Sequence, residues 1–218
     1  MSLIIKISDI WKEYNGNPVL KGCSVSFEKI GTYVLTGHNG SGKSTFLRIC
    51  SLLEEPGKGE VDYFSGQVAV KKDIELKRRI TLVLPGVGIF NTTVFNNMAY
   101  GLRIRGLDSK EIKDRADRYL SLLGLIHKRE QNALTLSSGE RQRLGIARAM
   151  VVQPDILFLD EPTASVDQKN SDIIEEMILN MKKKGQPTVI MTTHDINQAQ
   201  RLADSLLTLK EGRIVSWE

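Results

Sequence analysis

The chain has 218 residues and a mass of 24.4 kDa, enough for one or two domains with a substantial core. Hydrophobic residues make up 41% and charged residues 26%, which excludes a collagen-like, low-complexity or wholly disordered chain. The 30 basic and 26 acidic residues leave +4, a surplus that leans weakly toward anionic partners such as nucleotides, nucleic acid or lipid head groups and decides nothing alone.

From Met1 to Trp11, Leu3, Ile5 and Ile7 alternate with Ser2, Ile4 and Lys6, which predicts a first strand. No basic segment followed by a long apolar run stands here, so the segment does not read as a leader. Ser24 to Glu28 is strand-like too, with a turn at Asn15 to Pro18 before it, and the pair predicts an antiparallel hairpin beside a main sheet. Cys23 and Cys50 are the two cysteines; without a Cys-x-x-Cys spacing they offer neither a zinc site nor a redox pair, and a reduced, cytosolic chain is expected.

Short β-branched runs at Tyr33 to Thr36, Ile80 to Leu84, Ile156 to Leu159 and Thr188 to Thr192 suit strands buried on both faces of a parallel sheet. Helical patterns alternate with them. Ile112, Ala116, Tyr119, Leu120 and Leu123 line one face of Lys110 to Leu123, and Ile173, Ile174, Met177, Ile178 and Met181 do the same in Asn170 to Lys184, before Gly185 and Pro187. This rhythm predicts an α/β fold. The mostly helical stretch from about Asn91 to Met150 interrupts it and reads as an inserted helical subdomain, 91–149, within an α/β core formed by 1–90 and 150–218. Nowhere do about eighteen apolar residues run together, so any membrane association goes through a partner or the surface.

Gly37-His38-Asn39-Gly40-Ser41-Gly42-Lys43-Ser44-Thr45 follows the first buried strand and precedes the apolar run Phe46, Leu47, Ile49. Glycines let successive N–H groups turn inward around a phosphate, and the next helix presents its positive end there. Lys43 is placed for the β- and γ-phosphates of a nucleotide and Ser44 for Mg²⁺. This P-loop alone leaves kinases, GTPases and motors open. Asp160-Glu161-Pro162 ends the strand Ile156 to Leu159, at the strand end where ligands sit in open α/β sheets. Asp160 then serves the metal, and Glu161 orients or deprotonates water for attack on the γ-phosphate.

Leu136-Ser137-Ser138-Gly139-Glu140-Arg141-Gln142-Arg143, between the helical insertion and that acidic strand, resembles the signature motif of the ATP-binding cassette (ABC) family. Tyr14 resembles the family's adenine-stacking aromatic, Ala164-Ser165-Val166-Asp167 its D-loop, and Thr193-His194-Asp195 its switch-histidine loop. Read from the residues alone, the lesser alternatives are that Tyr14 is a core-packing hairpin aromatic and His194 a surface histidine. The resemblance covers nearly the whole chain. It implies a P-loop NTPase (RecA-like) core with an antiparallel β subdomain and an inserted helical subdomain, binding ATP and Mg²⁺. It further implies a head-to-tail homodimer in which Ser137, Ser138, Gly139 and Glu140 of one subunit reach the ATP held by the other. Lys43, Glu161 and His194 become the catalytic set, and the partner is a permease at the cytoplasmic face of the membrane, with a solute-binding protein beyond it.

The pattern is not complete. Ser138 stands where glycine is usual and Glu140 where glutamine is common, both tolerable at a backbone-donor site while φ stays negative. Pro85 aligns with the Q-loop glutamine, although an alternative alignment makes it simply the end of a strand; proline has no side-chain amide for Mg²⁺. The helical region around Asn91 to Arg105 is the expected docking face. Phe90-Asn91-Thr92-Thr93-Val94-Phe95, followed by Ala99-Tyr100-Gly101-Leu102, resembles the ATPases of tungstate and molybdate importers. With Trp217-Glu218 soon after the last predicted strand, no C-terminal regulatory domain is expected. The alternative is a soluble ABC ATPase of nucleic-acid repair or translation, but no second cassette or long coiled coil is seen, and acids and bases alternate through Asp108 to Arg118, so no nucleic-acid partner is expected.

Overall fold

A computed structural model describes residues 3–164, 166–184 and 187–217. In chain order the elements are β1 (Leu3–Tyr14), β2 (Asn17–Phe27), β3 (Thr32–Thr36), α1 (Lys43–Cys50), β4 (Lys58–Ser65), β5 (Val68–Ala69), α2 (Ile74–Arg79) and β6 (Ile80–Val83). There follow α3 (Val94–Ile104), α4 (Ser109–Leu122), α5 (Ser138–Met150), β7 (Ile156–Asp160), α6 (Gln168–Lys184), β8 (Thr188–Thr193), α7 (Ile196–Leu202), β9 (Ser205–Lys210) and β10 (Arg213–Trp217). Two compact units emerge, one formed by Met1–Leu82, Pro154–Glu161 and Ile178–Glu218, the other by Val83–Gln153 and Pro162–Met177.

The first unit holds two sheets, ordered β2-β1-β4-β5 and β10-β9-β3-β8-β7-β6. β1 and β2 are antiparallel and turn through Asn15-Gly16, with Tyr14 opposite Asn17. Both turn residues have positive φ, the geometry an Asn-Gly hairpin favours, so Asn17 and Pro18 already belong to the second strand. A register shift between Ile7 and Ile10, with Asp9 at φ 50, breaks the alternation of β1, so Leu3, Ile5 and Ile7 are buried and the next inward residue is Ile10.

β3 pairs in parallel with β8 and β9, and β7 with β8. Every residue of β3, β7 and β8 is buried, as their continuous β-branched and apolar runs require. β6, at the sheet edge, is buried only at its two ends, and Leu84 lies beyond it and is exposed. Phe46, Leu47 and Ile49 of α1 enter the same apolar cluster as Ile5, Leu35 and Phe158. Burying each such side chain is worth about 1.5–3 kcal/mol, so α1 is anchored and its first turn is held at the end of β3.

The second unit is helical. α4 buries Ile112, Ala116 and Leu120, the spacing of one helix face, while Asp108 accepts from the N–H groups of Lys110 and Glu111 at its start. Thr93 caps α3 in the same way through Asn96 N–H. Ile174 and Met177 of α6 are buried and Ile173 is half-buried; Gly185, expected to end that helix, lies outside the described residues. Among the described residues no helix is long and apolar enough to cross a membrane.

Candidate functional site

The loop from Gly37 to Gly42 joins β3 to α1 and brings Lys43 to the first helical position. A Cβ on Gly37 would overlap the Leu209 carbonyl and reach 2.8 Å from Ser41 Oγ, so the loop requires glycine there. Ser41 N–H closes a tight turn on the His38 carbonyl at 3.1 Å, and Ser41 Oγ is buried without a hydrogen-bond partner among the described residues. The first intrahelical bond of α1 runs from Phe46 N–H to Gly42 O, and Gly42 offers no side chain as a cap. The N–H groups that open α1 at Lys43, Ser44 and Thr45 therefore have no intrahelical acceptor and no side-chain cap, and no acidic residue stands in this turn. An uncapped helix start and an orphaned buried hydroxyl in one glycine loop make an anion cradle. His38, Asn39 and Gly40 line its exposed rim.

Lys43 is almost fully buried, and its Nζ donates to the carbonyls of Gly37 at 2.8 Å and His38 at 3.3 Å. It also lies 3.4 Å from Glu161 Oε1, while Glu161 Oε2 is 3.2 Å from His194 Nδ1. The carboxylate thus bridges the lysine of the phosphate loop and the histidine at the end of β8. Glu161 holds this place with its backbone at φ 45, a left-handed conformation uncommon for a residue with a side chain.

Asp160, fully buried at the end of β7, accepts from Thr192 Oγ1 at 2.7 Å. The Ser44 hydroxyl and the Asp160 carboxylate are hard oxygen donors of the kind Mg²⁺ prefers. No cluster of three His, Cys, Asp or Glu capable of enclosing a metal exists among the described residues.

Tyr14 ends β1 about 40% exposed, and its hydroxyl donates to Glu54 Oε1 at 2.5 Å. Lys12 Nζ lies 5.5 Å from the ring centroid and 2.9 Å from Glu54, and Arg48 of α1 lies 3.1 Å from Glu54. Partial burial opposes the charge of Glu54, but Tyr14, Lys12 and Arg48 outweigh it and hold the carboxyl below its usual range. This cluster, invisible in the sequence because Glu54 is 40 residues from Tyr14, fixes an aromatic ring at the edge of the phosphate-loop helix.

In the helical unit Ser137 caps α5, its hydroxyl accepting from Glu140 N–H while the Glu140 carboxylate accepts from Ser137 N–H. Burial opposes ionisation of Glu140, yet Lys128 at 2.6 Å and the Ser137 amide hold its carboxyl below the usual range. Glu140 in place of the common glutamine thus completes a capping box. Ser138 is the first residue of α5 and is absent from the positive-φ residues, so the extra side chain is accommodated. Gly139 is packed against Asn170, whose amide leaves no room for a Cβ there. Asn170 is itself held by Asp167, which accepts from its N–H at 2.9 Å and its Nδ2 at 2.8 Å. Those two bonds keep the Asp167 carboxyl below its usual range. Ser165 of the D-loop motif lies outside the described residues. Pro85 is exposed in the loop after β6, beside Gly86 at φ 69.

The structure brings Lys43, Glu161 and His194 together, with Asp160 beside Glu161 at the end of β7. Thr192 and Asn170 carry no signal in the sequence; only the register of β7 on β8 and the close approach of α6 to Gly139 mark them.

A family model described as ABC transporter matches residues 20–164. The "Tungstate uptake system ATP-binding protein TupC" of Peptoclostridium acidaminophilum is 37% identical, over 96% of each chain. "Methionine import ATP-binding protein MetN 4" of Oceanobacillus iheyensis is 32% identical over 97% of this chain, which spans 64% of that relative's length. Among solved structures, the dimeric post-hydrolysis state of the ATP-binding cassette MJ0796 bound to ADP and Pi superposes with a TM-score of 0.86 at 25% identity, over 98% of this chain and 97% of that one. The chain thus belongs to the ABC transporter family as an ATP-binding, ATP-hydrolysing cassette.

Proposed function

We propose that this cassette is the energy-supplying subunit of an importer whose cargo is an oxyanion of the tungstate or molybdate type. The observation that carries the cargo is the 37% identity to a tungstate uptake protein over 96% of both chains, so that the two match nearly end to end. Relatives named for methionine import are less similar and extend well beyond the matched region.

ATP is the substrate. The open N–H groups at the start of α1 and the Lys43 ammonium bind its phosphates, and Tyr14 offers its ring to the adenine. Ser44 and Asp160 are the residues that would hold Mg²⁺, which when bound neutralises phosphate charge. Glu161 takes the proton of the attacking water, and His194 turns from Glu161 to the γ-phosphate. Catalysis rests on positioning and on charge placed in advance. The site is completed by Ser137, Ser138, Gly139 and Glu140 of a second copy arranged head to tail. ATP-driven closure then moves a permease at the cytoplasmic face of the membrane, which receives the cargo from a solute-binding protein.

A docking surface for that permease is supported by the exposed Phe90, Tyr100 and Ile104, with the first two rings 4.6 Å apart and Arg148 stacked 4.7 Å over Phe90. The test is ATP turnover in proteoliposomes holding the cassette and its cognate permease. Solute-binding protein loaded with tungstate or molybdate should stimulate turnover where sulfate or methionine does not. Stimulation by methionine alone would overturn the cargo, and stimulation by nucleic acid without a permease would overturn transport.

A further inference from the structure

Thr192 stands on β8 directly beside Asp160 of β7 and is fully buried. Its hydroxyl carries one proton and two lone pairs. The proton goes to Asp160 Oδ1 at 2.7 Å, and a lone pair accepts the N–H of Glu161 at 3.0 Å. One hydroxyl therefore ties together the last residue of β7 and the first residue past it.

The second bond has a particular consequence because Glu161 is held at φ 45. L-residues enter that region reluctantly, and they stay only where the surroundings fix them. With the N–H unanchored inside the protein, the peptide would turn toward an ordinary φ and carry the side chain with it. The carboxylate would leave the point 3.4 Å from Lys43 and 3.2 Å from His194. Thr192 is also two residues before His194, which directly follows β8, so it fixes the glutamate relative to the very segment that presents the histidine.

We infer that Thr192 is a positioning residue for ATP hydrolysis, its hydroxyl holding Glu161 in the left-handed conformation that aims the carboxylate at the reaction centre. The inference rests on Glu161 being the base. It adds a fully buried residue that acts through its neighbour.

Thr192→Val keeps the β-branched shape that suits a buried strand and removes the hydroxyl. It should lower kcat by about ten- to a hundredfold, the scale for a small misplacement of a reacting group. The ATP dissociation constant, read by calorimetric titration with ATP, should stay within about twofold, since no binding group is removed. Thr192→Ser, which retains the hydroxyl, should return kcat to within about threefold of the parent, where a role in packing alone would give no rescue. In a Glu161→Gln background Thr192→Val should change the residual rate by less than about twofold, because two residues acting as one unit are not additive.

A Thr192→Val chain that turns over at the parent rate while Glu161→Gln does not would overturn the inference and leave the base assignment intact. Parent-rate hydrolysis by Glu161→Gln would remove the base and this inference with it. Failure of Thr192→Ser to rescue, or an equally large effect of Thr192→Val in the Glu161→Gln background, would move the residue's role to packing or to Asp160 and refute the proposal.

Discussion

Replacing Gly139 by alanine probes the packing that holds the signature helix. Within a helix this exchange ordinarily stabilises, by roughly 0.5–1 kcal/mol, because glycine has more freedom to lose. Here the added Cβ would overlap Nδ2 and Cγ of Asn170 and lie 2.9 Å from its Cβ. The Asn170 side chain cannot swing aside without breaking its Nδ2 bond to Asp167. The start of α5 must shift instead, an overpacking expected to cost about 1–3 kcal/mol. For a chain of this length about 2 kcal/mol lowers the melting temperature by roughly 4–8 °C. Thermal unfolding followed by circular dichroism reads this directly. Gly139→Ala with Asn170→Ala should recover part of the loss, since only the contact to the residue-170 Cβ remains. A Gly139→Ala chain that melts at or above the parent temperature would refute the reasoning, because helix propensity would then have won.

Two further outcomes follow from the site. Mixing a Lys43→Ala chain with a Ser137→Ala chain should restore part of the ATPase activity that each lacks alone, because some heterodimers then carry one intact composite site; verified mixed dimers without recovery would argue for a self-contained site. Pro85→Gln should lower the Mg²⁺ concentration needed for half-maximal turnover if residue 85 stands where a metal-facing amide belongs, and an unchanged titration curve would remove Pro85 from the site.

The parts most legible in the sequence were those written by local chemistry. The glycine loop ahead of Lys43, the buried run ending in Asp160 and the Asn-Gly turn each need only a few neighbouring residues to declare themselves. β4 was not legible because its apolar residues, Val61, Tyr63 and Phe64, crowd into its second half without a clean alternation; it is a strand because it pairs with β1 over Leu3–Ser8 and Trp11. β5 has two exposed residues and no signal of its own. The shift at Asp9 was hidden for a related reason, since a bulge changes which face each later residue takes. In the site, Lys43 and Glu161 were readable as a phosphate lysine and an acid at a strand end. Their 3.4 Å approach depends on the parallel order of β3, β8 and β7, which no single strand encodes. Thr192 shows the limit most plainly. As one of several threonines in a buried strand it carries no pattern, and only its register against Asp160 gives it a role.

The account depends most on Glu161, and the direct test is ATP turnover by Glu161→Gln alongside its state of assembly. The amide keeps the shape of the side chain and removes the base. ATP should still bind, turnover should fall by about two to four orders of magnitude, and an ATP-bound dimer should accumulate on size exclusion. Hydrolysis at the parent rate would contradict the account.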